Sequence, residues 1–469
     1  MMHPMRAFAG QRRPQSRALA EQFRASTGED PPPASKVYRN PTPQPVTAVP
    51  EYAPMGGLLL SYPGVDPASP TGTRQGSTGV RTFGVPDELI VRAQQNDTEE
   101  PVHVFVFCAD QAQKREIDTT LDACAQRLGL RYEPARLHLI PWDTDTYWTR
   151  DYGPWWTKTL VGERYAIAKH VYTSLGGGLV GIVEGADPSD PRLGKGIFRP
   201  HDDYGAVAFS DFLNTPITAW NQARWPGGKA LPPLPAHDWV FTGLLDVGGN
   251  YMVTGRNRIA SSYLVATQNQ LPEARSAVGG QPSAGVVERR LNYILAQLNR
   301  FMGISEYHVL TDPTGTYIGH IDCWGKFLAD DKVLIASSTN PTINAAFDGI
   351  AESFRAEGFA TFRVMLPDMY VPGTFQPATT AAYTNSLILN RHVYVPLAGG
   401  GYATHDEAAL AIYRKAMPEY EVVGVLPKPE HPWLGTDALH CRTCAVPRAV
   451  VDAWQQAQTV PQPPWSHPT

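Results

Sequence analysis

From about residue 100 to residue 430 the chain alternates between two periods. Short runs such as VHVFVFC (102–108), LHLIPWD (137–143), KVLIASS (332–338) and HVYVPL (392–397) are apolar and rich in β-branched residues, and they predict strands. Between such runs, apolar residues recur at three- and four-residue steps, as on one face of a helix. The clearest case is 287–302, where Val287, Leu291, Ile294, Leu295, Leu298, Phe301 and Met302 share a face. KREIDTTLDACAQRLG (114–129) and 343–357 read the same way. Thr404 and Glu407 form a capping-box pattern that predicts a helix from there through Ala416. SLILN (386–390) is expected to pair with HVYVPL, and EYEVVGVLP (419–427) to be the last long strand. Helices starting near 114, 203, 287, 343 and 404 each have strands on both sides, with no repeated string. Five β-β-α-β units suit a closed, pseudo-fivefold arrangement, although this pattern alone does not separate it from an ordinary α/β sandwich.

The ends read differently. Residues 1–54 are rich in Pro, Gln, Arg and Ser and lack periodicity, so they are expected to be a disordered or loosely attached arm. Residues 448–469 are Pro- and Gln-rich and are expected to form an exposed tail, leaving 55–447 as the folded domain. The glycine-rich stretch 174–196 and the proline-rich stretch 225–235 read as long loops. The first carries no Lys-Ser or Lys-Thr at phosphate-loop spacing, which argues against nucleotide binding.

Composition narrows the partners. Hydrophobic residues are 42% and charged residues 18% of 469, enough for a full core. The formal net charge is −5, so no basic excess supports a nucleic-acid role, while a mildly acidic surface suits cationic substrates. No apolar run approaches the ~20 residues that span a bilayer, and no membrane partner is expected. Arg6, Arg12, Arg13 and Arg17 are not followed by the apolar core of a secretory signal, so the compartment is left open. Five cysteines, Cys108, Cys124, Cys323, Cys441 and Cys444, imply no disulfide framework.

Three stretches carry chemistry: YWTRDYGPWW (147–156), GTYIGHIDCWGKF (315–327) and WLGTDALHCRT (433–443). They offer a thiol, an imidazole and two carboxylates in Cys441, His320, Asp322 and Asp151. A thiol nucleophile needs a base and a held electrophile. Two added carboxylates point to a cationic electrophile, and a planar guanidinium matches them bidentately. If 320–322 is a strand, His320 and Asp322 face one way while Ile321 and Cys323 face the other. Cys441 and Cys444 also make a Cys-x-x-Cys pair, a spacing shared by redox pairs and half zinc sites, but no second metal-ligand pair stands at zinc spacing.

Together with DVGGNYMVTG (246–255) and YTNSLILN (383–390), these stretches resemble the peptidylarginine deiminases of the Porphyromonas type, grouped with the agmatine deiminases among guanidino-group-modifying enzymes. The resemblance spans roughly 101–446. It implies the pentein fold, an α/β propeller of ββαβ units, and hydrolysis of arginine in a peptide or protein to citrulline and ammonia. It also implies a Cys thiouronium intermediate and no cofactor, metal or calcium; no Asp-x-Asp-x-Asp-Gly loop is present. Agmatine or another small guanidine is the alternative substrate, and an inactive arginine-binding propeller the alternative of another class. By resemblance Cys441 is the nucleophile, His320 the acid and base, Asp151 and Asp322 the guanidinium clamp, and Asn385 a further member of the catalytic set. Trp148, Arg199, Tyr317 and Ile318 are the expected substrate-binding residues. Arg199 matches the second of two arginines that grip a terminal carboxylate, while Ile197 stands in place of the first, so internal arginines are expected to be accepted.

Overall fold

The computed structural model describes residues 35–65, 80–95, 102–172 except 163, 199–223, 238–269, 285–314, 319–367, 381–433 except 430, and 437–459. Both expected long loops, Ile197, Tyr317 and Ile318 lie outside these residues. Among the described residues there are five sheets of three or four strands and one two-stranded ribbon.

Four of the sheets are built alike. In one, Gly325–Ala329 pairs antiparallel with Lys332–Ser337, which lies parallel to Ala360–Met365 after the crossover helix Pro341–Ala356. Leu387–Leu389, His392–Pro396, the helix Ala403–Ala416 and Glu421–Val425 repeat the pattern. So do Met252–Val253, Arg258–Ser262, the helix Val286–Met302 and Glu306–Leu310. The fourth is Trp156–Thr159, Tyr165–Val171, the helix Pro200–Ala223 and Asp238–Leu245. Parallel strands need such a crossover, and the helix covers the sheet face it spans. The fifth sheet departs from the pattern: Met55–Ser61, His103–Cys108 and Leu137–Pro141 run parallel, and Cys444–Pro447 joins antiparallel from far along the chain.

The periodic helices pack as their sequences require. Val287, Leu291, Ile294, Leu295, Leu298 and Met302 are all buried, with Phe301 half-buried beside them. Gly303 ends that helix with φ of 69° in the left-handed region. A side chain there would also meet the Val46 carbonyl oxygen at 2.0 Å. The helix expected to open on Thr404 and Glu407 begins instead at Ala403, with no side-chain cap from Tyr402. Asp406 faces the preceding loop, accepting the Ala398 and Gly399 N–H groups.

Both expected flanking segments are corrected. Ser35–Arg39 adds an antiparallel edge strand to Glu306–Leu310, and Val46–Ala48 pairs with Trp156–Thr159. Strands of five and three residues are too short to show a period, so composition alone suggested disorder. At the other end Arg448–Thr459 is a helix, with Val450, Val451 and Trp454 packed in one cluster with the fifth sheet and Ala457 also buried. Of the described residues, the folded body therefore takes in 35–54 and 448–459.

That last helix covers an unusual pair. His103 Nδ1 lies 2.8 Å from His138 Nε2, the rings stack, and Trp454 meets both edge-on. Burial lowers each imidazole to about 4. Unfolded histidine titrates near ~6.5. Between those values the unfolded chain binds protons that the folded chain excludes, so stability falls as pH falls. Denaturant midpoints should drop from about pH 6.5 towards pH 4, and His138→Gln should flatten part of that drop. Parallel curves for the two proteins would show that the pair does not control acid stability.

Candidate active site

Asp151 lies on a single helical turn, Thr149–Tyr152, entered from Trp148. Its Oδ1 accepts the Gly249 N–H at 3.3 Å. Gly248 and Gly249 sit in a 3-10 turn just after the strand Asp238–Leu245. Here glycine is required by close approach: a Cβ on Gly248 would lie 1.9 Å from the Arg150 carbonyl oxygen. One on Gly249 would meet His320 Nδ1 at 2.6 Å, Asp151 Oδ1 at 2.9 Å and Asp322 Oδ2 at 3.2 Å. The backbone at Gly249 is thus a wall on which the imidazole and both carboxylates converge.

His320 and Asp322 do face one site, but not through a strand. Ile321–Cys323 form a 3-10 turn with His320 at its N-cap, after Gly319 takes a φ of 67°. Ile321 and Cys323 are buried in the apolar core behind it. Period-two alternation put these side chains on the right faces for the wrong local reason. His320 Nδ1 is buried and makes no hydrogen bond, and Asp151 Oδ1 lies 3.7 Å from it.

The thiol comes from the loop 437–443. Asn385 holds this loop in place: its Oδ1 accepts the Ala438 and Cys441 N–H groups, each at 3.0 Å. Its Nδ2 donates to Cys441 Sγ at 3.0 Å and to the Asp322 carbonyl at 3.4 Å. The Asn385 carbonyl accepts the His440 N–H, and the Cys441 carbonyl accepts the Arg150 N–H. Cys441 Sγ reaches Asp322 Oδ2 at 3.2 Å and packs against Tyr147 and Trp148. Cys444 turns away, its sulfur 3.4 Å from the Pro154 carbonyl oxygen in another apolar cluster.

Burial dominates the electrostatics. It raises the Asp151 carboxyl well above its usual range; repulsion from Asp322 adds to this, and Arg199 offsets only part. Asp322 is lowered despite its burial, by its bond and charge interaction with His440 and by His320 and Cys441. Burial and the nearby carboxylates push the Cys441 thiol well up, so it rests protonated. Burial lowers His320 to about 4, so it rests neutral.

Trp148 and Arg199 meet each other. The Arg199 guanidinium lies 4.6 Å over the Trp148 ring, its Nη1 donates to the Tyr172 hydroxyl at 3.0 Å, and Trp148 Nε1 donates to Asp437 at 3.1 Å. The cation on this indole is therefore the protein's own. Sequence reasoning missed the supports of the loop. Arg442 is fully buried between the Tyr147 and Trp433 rings, paired with Asp437 at 2.7 Å and bonded to the Gly84 carbonyl. It also missed Glu51, which contacts both Lys326 and His440.

Among the described residues no helix is long and apolar enough to cross a membrane. Residues 289–447 match the family model of the Porphyromonas-type peptidyl-arginine deiminase. The fold is similar to that of a Porphyromonas gingivalis protein proposed to be an arginine deiminase, at TM-score 0.53 and 18% identity over 86% of this chain and 98% of that one. It is similar also to the agmatine deiminase of Enterococcus faecalis, at TM-score 0.52 and 17% identity over 87% and 99%. An agmatine deiminase of C. jejuni with substrate bound matches at TM-score 0.52 and 14% identity over 86% and 96%. The match over 289–447 takes in His320, Asp322, Asn385 and Cys441, and the solved deiminases share the fold over most of both chains, so the chain resembles the Porphyromonas-type peptidyl-arginine deiminases and the agmatine deiminases, as its motifs imply.

Proposed function

We propose that this chain is a hydrolase that converts the guanidino group of arginine, carried in a peptide or protein, to citrulline and ammonia. One observation carries the reading: a thiol, an imidazole and two carboxylates share one enclosed site. Two carboxylates this near each other are stable together when a cation lies between them. A guanidinium supplies that cation and an electrophilic carbon.

In this reading Asp151 and Asp322 orient the guanidinium beside Cys441, which is positioning catalysis. The Cys441 sulfur attacks the guanidinium carbon, and the thiol proton passes to neutral His320. His320 then protonates the departing nitrogen, and ammonia leaves a thiouronium on Cys441. Water, deprotonated by His320, adds to the same carbon. Collapse breaks the carbon–sulfur bond, the thiol recovers its proton and the ureido product leaves. The steps balance without a metal or cofactor. The bound cation also offsets the carboxylate charge that keeps the thiol protonated, so substrate promotes its own attack.

Arg199 supports an arginyl substrate over agmatine. Its guanidinium, near Asp151 and on Trp148, offers donors to a carbonyl or carboxylate at the far end of an arginine. Agmatine presents no such acceptor. Tyr317 and Ile318 complete the proposed substrate-binding set, and Asn385 the catalytic one. We also take the five sheets to close into a pseudo-fivefold propeller, the pentein arrangement. Agmatine or another small guanidine is the second reading, favoured by the small exposure of Cys441, 3%, and His320, 7%.

Cys441→Ala should abolish turnover, while Cys444→Ala keeps most of it; equal loss from both would point to a redox or metal pair. Removing one carboxylate of the clamp leaves the buried substrate cation half paired, a cost of about 3–5 kcal/mol. Asp151→Asn should therefore lower kcat/KM by at least about a hundredfold, and near-normal efficiency would remove Asp151 from the clamp. Citrulline release should be found from benzoyl-arginine, its amide and an internal-arginine peptide. The free acid should exceed the amide by less than about a hundredfold, a gap of ~2.7 kcal/mol. Faster turnover of agmatine than of all three would overturn the peptidyl assignment.

A further inference from the structure

Behind the nucleophile loop lies a carboxylate that no step above uses. Glu51 stands in the turn between Val46–Ala48 and Met55–Ser61. Its Oε2 accepts Lys326 Nζ at 2.7 Å and lies 3.3 Å from His440 Nε2. Its Oε1 accepts the Ile388 N–H at 3.0 Å, with Arg150 Nη2 3.9 Å away. On the other side of the imidazole, His440 Nδ1 lies 2.8 Å from Asp322 Oδ2, the oxygen that also contacts Cys441 Sγ. Lys326, Glu51, His440, Asp322 and Cys441 thus form one line of contacts from the core to the thiol.

The geometry decides where the protons sit. A neutral imidazole has one N–H, and a second nitrogen that can only accept. Both nitrogens of His440 face carboxylate oxygens, which also only accept. The ring satisfies both when it carries two protons. Lys326 and His440 then balance Glu51 and Asp322, two cations against two anions. Among the described residues the other charged or titratable neighbours are Arg150, Tyr413 and Cys444 at Glu51, and His320, Asp151, Cys323 and Cys441 at Asp322.

We propose that Glu51 is a positioning residue for the reaction: by holding the second proton on His440 it keeps Asp322 ionised and its Oδ2 directed at Cys441. The inference rests on the deiminase reading, in which Asp322 also meets the substrate cation. Burial alone would raise the Glu51 carboxyl, yet Lys326, His440 and Arg150 hold it well below its usual range. Without the Glu51 charge, His440 loses its reason to stay a cation, and Asp322 loses the partner that opposes its protonation. The consequence has a sign. The Asp322 value rises, so activity is lost at low pH and recovered at high pH.

The test needs no turnover. Cys441 is alkylated with chloroacetamidine, whose cation reads the Asp322 charge, and with neutral iodoacetamide, and adducts are located by mass spectrometry. The ratio of the two rates is followed against pH in the wild type, Glu51→Gln and Lys326→Met. Glu51→Gln keeps an acceptor for the Ile388 N–H. It should move the acid limb of the amidinium preference up by about one unit, a loss approaching tenfold at pH below that limb and regained by about pH 8. Lys326→Met removes the nearest cation that holds the Glu51 carboxyl low, so it should move the acid limb in the same direction as Glu51→Gln. A Glu51→Gln ratio parallel to wild type, or lowered equally at every pH, overturns the relay. Absence of the preference in the wild type overturns the deiminase reading and the relay with it. Nitrogen NMR of the labelled histidine ring in the wild type gives a separate check: His440 should be an imidazolium at neutral pH, and a neutral tautomer overturns the proposal whether or not the variants fold.

Discussion

The repulsion between Asp151 and Asp322, enclosed together beside a thiol, is the constraint around which the site is arranged. Each neighbour answers it differently. Asp322 is bonded from behind by His440, and its carboxyl is lowered despite its burial. Asp151 has the Gly249 N–H, His320 Nδ1 at 3.7 Å and the more distant Arg199, and its carboxyl is raised. Cys441, facing the same negative charge, keeps its proton. A carboxylate pair in an enclosed site favours a cation between its members more strongly than a surface pair could.

Such a site has to be held by groups that do not share its charge. The fully buried Arg442, with Asp437 and two aromatic faces, fixes the loop that carries Cys441. A buried pair of this kind is weak evidence of added stability, because desolvation offsets attraction. Its contribution is geometric: the Asp437 carboxylate also takes the Trp148 N–H, so the loop and the aromatic wall share one anchor. Asn385 does the same from the other side, using both ends of one amide on four partners.

The sequence disclosed what is periodic or clustered. The helix 287–302 was legible because its apolar residues recur along one face, and Cys441, His320, Asp322 and Asp151 because their types and motifs carry recognisable chemistry. Glu51 was not. It lies in a proline-rich stretch whose strands are too short to show a period, and its bond to Lys326 joins residues 275 positions apart. The final helix was hidden in the same way, since Gln and Pro masked the face formed by Val450, Val451, Trp454 and Ala457. The alternation reading of His320 and Asp322 reached the right grouping because a 3-10 turn, like a strand, can turn residues i and i+2 towards one site, so agreement on faces was no proof of the element.

The antiparallel strand Cys444–Pro447, paired with Met55–Ser61, has a consequence for how the chain is made. Synthesis runs from the N-terminus, so Glu51, Asp151, His320, Asp322 and Asn385 leave the ribosome before Cys441 does. The fifth sheet lacks that edge strand until the thiol has also emerged. The carboxylates and imidazole are therefore made first, while the Cys441 thiol comes last, directly ahead of the strand that docks its loop. The groups that contact Cys441 have therefore all been made when the sulfur emerges, and the strand that docks its loop follows within a few residues.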